Sequence, residues 1–199
     1  MPTEPEILSS AFWDDLYNRQ ETRWDLGYPS TPLKEYIDQL TNKHIRILIP
    51  GAGNGYEALY LAEQGFTDIT VIDISTVVTQ KLKQRLSIPD HSYIKVVTGD
   101  FFSLEGIFDL VIEQTFFCAL HPSLRKQFAE KVKTLLAGNG KLVGLLFNKD
   151  FDTNPPFGGN TEEYRQLFSS VLRIQKLEAC YNSIPARSGS ELFIIASKL

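Results

Sequence analysis

The 199-residue sequence predicts an α/β fold of the doubly wound kind, a seven-stranded, mostly parallel sheet whose C-terminal strand runs antiparallel. Three observations predict it. From Ile45 onward, short strand-like runs alternate with segments of helical periodicity, the pattern of strands joined by crossover helices. A glycine-rich turn follows the first run at once and opens the first helical segment, the arrangement that lets a ligand approach the carboxyl end of a parallel strand. Two extended runs joined by a short connection close the chain, and a connection too short for a crossover makes a hairpin.

The elements follow in order. Residues 45–49 read as the first strand, 57–64 as its helix with Ala58, Leu59, Leu61 and Ala62 on one side, and 68–72 as the second strand. Residues 76–86 form a second helix, in which Val77, Val78, Leu82 and Leu86 recur at near-helical spacing. Residues 93–97 and 108–112 are the third and fourth strands. A helix over about 123–136 is stopped by Gly138-Asn139-Gly140, and 141–147 is the fifth strand. The breaker-rich stretch 154–159 is a surface loop, followed by a short helix over 161–168. Runs 174–184 and 191–197 make the final hairpin. Residues 1–40 break the alternation: Trp13, Tyr17, Trp24 and Tyr28 stand amid charges, then a helical pattern runs over 32–40. Such a prelude packs as a helix over the sheet or as a lid over a site at its edge. A chain of this length forms one domain over 1–199, with 1–40 as lid and helix and 45–199 as sheet and helices.

Composition removes several function classes. The formal charge of -4 and pI near 5.4 argue against a nucleic-acid partner, whose phosphates are held by clustered Lys and Arg. No apolar run approaches the roughly 20 residues that span a bilayer, and the first residues do not resemble a signal peptide, so a cytoplasmic protein without membrane partners is expected. Cys118 and Cys180 lie far apart and read as reduced structural thiols. His44, His91 and His121 are scattered, so no metal is expected.

Pro50-Gly51-Ala52-Gly53-Asn54-Gly55 carries the strongest signal. Glycines at alternate positions leave the backbone bare for a flat or extended ligand. The spacing lacks the third glycine of the G-x-G-x-x-G dinucleotide fingerprint, which weakens a nicotinamide reading. Asp73, ending the second strand, suits a ribose, since a carboxylate accepts hydrogen bonds from both hydroxyls; Ser75 beside it suits a helix cap. Asp100 and Phe101, ending the third strand, suit an adenine, with an acceptor for its amino group and a face for stacking. A dinucleotide-binding oxidoreductase and a non-catalytic cofactor-binding partner protein remain the alternatives.

With these residues in hand, the chain resembles class I S-adenosylmethionine-dependent methyltransferases of Rossmann-like fold, and within them the thiopurine S-methyltransferase and halide/thiol methyltransferase family. The resemblance rests on Phe12-Trp13-Asp14-Asp15-Leu16-Tyr17 with Thr22 to Gly27, on Ile49 to Glu57, and on Ile72-Asp73-Ile74-Ser75. Gly99-Asp100-Phe101-Phe102, Phe108 to Leu120 and Pro155-Pro156-Phe157 complete it. It implies S-adenosyl-L-methionine as cofactor and S-adenosyl-L-homocysteine as product. Trp13, Tyr17, Trp24 and Leu26 would close over the cofactor; Gly51, Ala52 and Gly53 would pass beneath its methionine portion. Asp73, Ile74 and Ser75 would hold the ribose, Asp100, Phe101 and Phe102 the adenine, and Glu113, Gln114 and Thr115 would border the methyl group. Phe116, Phe117, Phe157 and Tyr164 would line the acceptor pocket, with Arg187 to attract an anion.

Positioning suffices for methyl transfer, so the resemblance implies no certain catalytic residue, only the candidates Gln114 and Arg187. The thiopurine branch usually carries a basic residue at the position of Gln114, a departure that disfavours bulky anionic purines, and the phenylalanine-rich segment leans toward the halide/thiol branch. The acceptor implied is a small soft nucleophile, namely a thiol or thiolate, sulfide, thiocyanate, a halide or a related selenium or tellurium species, with a thiopurine-type acceptor as the remaining alternative. A monomer or weak homodimer is expected.

Overall fold

The strand-forming runs are aliphatic on both sides, which suits a sheet covered on both faces. They assemble into one seven-stranded sheet in the computed structural model, which describes residues 9–86 and 93–199. In chain order the strands are β1 (Ile47–Pro50), β2 (Ile69–Asp73), β3 (Ile94–Thr98), β4 (Phe108–Gln114), β5 (Leu136–Phe147), β6 (Leu172–Ala179) and β7 (Glu191–Lys198). Side by side they run β3-β2-β1-β4-β5-β7-β6. Strands β1 to β5 pair in parallel, and β7 is antiparallel to both its neighbours. The chain winds outward from β1 to β3 and then returns to the other side of β1 as β4. That reversal opens a crevice at the carboxyl ends of β1 and β4, the place where open sheets bind ligands.

Among the described residues, six α-helices surround the sheet: α1 (Ser10–Asn18), α2 (Thr31–Asp38), α3 (Tyr56–Glu63), α4 (Thr76–Arg85), α5 (Arg125–Leu135) and α6 (Thr161–Ser169). Their starts are written locally. Ser9, Ser75 and Asn160 accept hydrogen bonds from Phe12, Val78 and Glu163 amides, and Pro32 occupies the first turn of α2. Alternation along the strands divides the core in two. Leu48, Val111 and Leu142 face Phe128, Val132 and Phe168, while Ile47, Ile49 and Ile112 share the other layer with Leu33, Leu61 and Leu82.

Three elements differ from the sequence expectation. Helix α5 ends at Leu135 and the chain enters β5 at Leu136, so Gly138-Asn139-Gly140 falls within the strand rather than stopping the helix. Pairing with β4 jumps from Phe108↔Leu136 to Leu110↔Lys141, and the intervening residues bulge. A Cβ on Gly140 would stand 2.9 Å from the Phe108 carbonyl oxygen, so a side chain has no room there. Strand β6 stops at Ala179 instead of 184, and Cys180 to Ser190 turn back toward β7. The 154–159 stretch is a loop, yet Phe157 turns inward, its amide donating to the Cys118 carbonyl at 2.6 Å. Met1 to Glu6, Ile7, Leu8 and His91 lie outside the described residues. No described helix is long and apolar enough to cross a membrane.

Candidate active site

The carboxyl ends of β1 to β4, the final hairpin and the N-terminal segment enclose a cavity of about 1050 Å³. Its rim starts where β1 ends. Gly51 and Gly53 take φ of +58° and +52°, a region that glycine enters without strain. Side chains there would also intrude: a Cβ on Gly51 would stand 2.8 Å from Cβ of Phe116, and one on Gly53 3.0 Å from the Tyr17 hydroxyl. Gly51, Ala52, Gly53, Phe116 and Tyr17 all line the cavity, so bare backbone keeps it open.

At the end of β2, Asp73 Oδ2 accepts the Gly53 amide at 3.0 Å and Oδ1 accepts the Ser75 amide at 2.9 Å. These bonds orient the carboxylate toward the cavity and leave each oxygen a further lone pair. Burial pushes its pKa upward against the pull of those amides. Ile74 joins the wall, but Ser75 does not: it is fully buried and its Oγ caps α4. At the end of β3, Asp100 accepts from the Phe102 amide at 3.0 Å and the Ser103 hydroxyl at 3.2 Å, capping a single 3₁₀ turn. Asp100, Phe101 and Phe102 line the cavity, and the Phe101 ring meets Phe102 and Phe116 edge-on at 5.4 and 5.3 Å.

At the end of β4, Gln114, Thr115 and Phe116 reach the wall whereas Glu113 lies behind it. Thr115 has φ +62°, a strained conformation for a β-branched residue that persists only when its neighbours fix it. Two contacts do so: Glu113 Oε1 accepts the Phe117 amide at 2.7 Å, and the Cys118 thiol donates to the Thr115 carbonyl at 3.3 Å. Glu113 is 1% exposed, and its Oε2 has no hydrogen-bond partner among the described residues. Burial pushes its carboxyl up to about 8.

The folded state therefore keeps a proton that the unfolded chain releases, and stability falls as pH rises from the ordinary 4.5 toward 8. Glu113→Gln, which cannot ionise, should gain on the wild type across that window, by on the order of a few kcal/mol at its upper end. Thermal unfolding of both proteins at several pH values checks this; a difference independent of pH would contradict it.

Three expected acceptor contacts are core instead. Phe117 packs against Phe128, Tyr164 and Phe168 at 5.2, 5.7 and 5.7 Å. Tyr164 donates its hydroxyl to the Phe147 carbonyl at 2.8 Å, and Phe157 is buried against the His121 ring. In their place, Leu120, Leu124, Phe147, Phe151, Pro155 and Pro156 line the cavity.

The N-terminal segment closes the cavity with Trp13, Tyr17, Trp24 and Leu26. Trp24 meets Trp13 and Tyr17 edge-on at 5.6 and 5.8 Å. Its backbone is held from below. Arg187 Nη2 donates to the Trp24 carbonyl at 3.0 Å, the Asn54 amide group donates to Asp25, and Glu57 Oε1 accepts the Ser30 amide at 3.0 Å. Arg187 is 9% exposed and also lies 3.4 Å from Glu191, so the cation on the wall is already partnered. Acids outnumber bases around the cavity: Glu21, Asp25, Glu57, Asp73 and Asp100 against Arg23, Lys149 and Arg187. Such a wall favours a cation. The sequence reading passed over Asp25, Asn54, Tyr56 and Glu57, although all stand within the motif-bearing stretches.

The sheet order, the reversed β7, the glycine turn and the acid that follows it define a class I S-adenosylmethionine-dependent methyltransferase. In fold, the chain is similar to the 1,6-didemethyltoxoflavin-N1-methyltransferase of Burkholderia thailandensis, solved with bound 1,6-didemethyltoxoflavin and S-adenosylhomocysteine: TM-score 0.78 at 18% identity, covering 100% of this chain and 91% of that one. The thiopurine S-methyltransferase family model matches residues 8–192, and the chain belongs to that family. It is 31% identical over 163 residues to a probable thiol methyltransferase 2 of Arabidopsis thaliana, covering 80% of this chain and 72% of that protein. It is 28% identical over 193 residues to thiocyanate methyltransferase 1 of Brassica oleracea, covering 94% and 84%. The chain is thus an S-adenosyl-L-methionine-dependent enzyme of S-methylation; a nicotinamide oxidoreductase and a non-catalytic partner protein find no support among these relatives.

Proposed function

We infer that the cavity holds S-adenosyl-L-methionine between the glycine turn and the N-terminal lid, and presents its methyl group to a small soft nucleophile, a thiol or thiolate foremost. The observation that carries this reading is the oriented carboxylate of Asp73 beside bare backbone at Gly51 and Gly53. The residues fit the cofactor: a Cβ at either glycine would fill the cradle, and the acid excess suits a ligand with a sulfonium. Asp73 would accept from both ribose hydroxyls, with Ile74 alongside. Asp100, Phe101 and Phe102 would frame the adenine, and Gly51, Ala52 and Gly53 would underlie the methionine portion. Trp13, Tyr17, Trp24 and Leu26 would close above it, their rings attracting the cation and excluding water.

When bound, the cofactor supplies an electrophilic methyl group that passes to the acceptor sulfur in one displacement. The protein's own part is alignment, which reaches about 7–11 kcal/mol in well-oriented systems. Gln114 and Thr115 would border the transfer point, and Phe116 with the apolar lobe of Leu120, Phe147 and Phe151 would keep it dry. A thiol ionises near about 8.5 in water, so its proton leaves to solvent without a dedicated base. Lys149 and the spare N–H groups of Arg187 would draw the resulting anion. The relatives' names support thiols and thiocyanate as acceptors here. The same reading takes the enzyme as single-domain and cytoplasmic, acting on small molecules without nucleic-acid or membrane partners, as a monomer or weak homodimer; the net charge of -4 supports the absence of a nucleic-acid partner alone.

Arg187→Met tests the acceptor half. At saturating cofactor, KM for thiocyanate and for a thiolate should rise about tenfold, the loss of one charge-assisted hydrogen bond. Unchanged acceptor KM would remove Arg187 from the acceptor site.

A further inference from the structure

We propose that Asp14 and Ser75 are positioning residues, a joint through which docking of the lid helix α1 and ribose binding at Asp73 reinforce one another. The inference rests on the cofactor reading of the cavity and adds how its two halves are coupled. Neither side chain lines the cavity, so on that reading neither would touch the bound cofactor.

The joint is a continuous run of hydrogen bonds. The Gly53 amide donates to Asp73 Oδ2 at 3.0 Å, and Asp73 Oδ1 accepts the Ser75 amide at 2.9 Å. Ser75 Oγ then donates to Asp14 Oδ1 at 2.6 Å, across 61 residues of sequence. The same Asp14 oxygen accepts the Val77 amide at 3.0 Å, and Ser10 donates to Asp14 Oδ2 at 3.2 Å. Glycine turn, ribose acid, helix α4 and lid are thereby joined.

Chemistry makes the run directional. Asp14 supplies a second cap to α4, whose free N–H groups and dipole favour a carboxylate at that end. Burial opposes its charge, but the bonds from Ser75, Val77 and Ser10 prevail and hold its pKa below the ordinary value. Asp73 faces the opposite pressure: burial and the nearby Asp14 charge both raise it. Two carboxylates sharing Ser75 repel one another. Ribose hydroxyls donated to Asp73 spread its charge, relieve that repulsion and so favour the docked lid; a docked lid returns the same gain to the ribose, because coupling is reciprocal.

The sequence provides a direct reporter, since its two tryptophans, Trp13 and Trp24, both lie in the lid. S-adenosylhomocysteine is titrated by calorimetry and by tryptophan emission into the wild type, Asp14→Ala, Asp14→Asn and Ser75→Ala. Asp14→Ala and Ser75→Ala should bind about tenfold more weakly and show red-shifted emission without ligand. Asp14→Asn keeps an acceptor oxygen and should fall between. In a double-mutant cycle with Asp73→Asn the losses should not add, whereas a merely structural role for α1 predicts additivity. Additive losses, or wild-type affinity and emission in Asp14→Ala, would overturn the joint. If Asp14→Ala does not fold, Asp14→Asn carries the cycle. A wild type that fails to bind overturns the cofactor reading with it; a binding wild type matched by its variants overturns the joint alone.

Discussion

Asp73→Ala should weaken S-adenosylhomocysteine binding by at least about 100-fold, because two hydrogen bonds to a charged acceptor contribute about 1.5–3 kcal/mol each. The loss has two sources. The ribose hydroxyls would meet no acceptor, and the Gly53 and Ser75 amides, now fixed on Asp73 at 3.0 and 2.9 Å, would be released. Disorder of the glycine turn would then compound the missing contact. Asp73→Asn retains one oxygen and should fall between. Calorimetric titration decides the matter, and unchanged affinity in Asp73→Ala would show that the ribose is held elsewhere.

The second large effect is expected at Gly51. Gly51→Ala places a non-glycine residue at φ +58°, costing about 1–2 kcal/mol in stability. It also drives a methyl into the Phe116 side chain, 2.8 Å from its Cβ, and both Gly51 and Phe116 line the cavity. Cofactor affinity should therefore fall more than tenfold beyond the loss of stability. Gly65 separates the two effects: it has φ +85° with nothing within 4 Å of its would-be Cβ, and it does not line the cavity. Gly65→Ala should lower the melting temperature comparably and leave S-adenosylhomocysteine binding intact. Equal binding losses in the two variants would mean that the close approach at Gly51 does not matter.

What the sequence made legible was governed by local rules. Strand and helix periods located the sheet elements, and each site residue at a strand end inherited its place from the winding of the sheet. Asp73 and Asp100 could be found because they stand where β2 and β3 finish. The misplacements arose where long-range packing decides. Phe116 and Phe117 are adjacent and chemically identical, yet one faces the cavity and the other joins Phe128 and Phe168. Glu113 and Gln114 separate by strand alternation, a local rule that turns neighbours to opposite sides. Arg187 read as a free cation, but its carbonyl partner lies 163 residues away in the lid, and no local pattern announces such a pair. Ser75 was legible as a cap; its bond to Asp14 was not.

Transfer of a labelled methyl group from S-adenosyl-L-methionine to a thiol, with the product identified as the S-methyl thioether, tests the central claim most directly. The wild type should form that thioether with saturation in both substrates, and Asp73→Ala should lose activity in step with its loss of S-adenosylhomocysteine affinity. A wild type that binds the homocysteine product tightly but methylates no thiol, sulfide, thiocyanate or halide would contradict the account, as would undiminished transfer by Asp73→Ala.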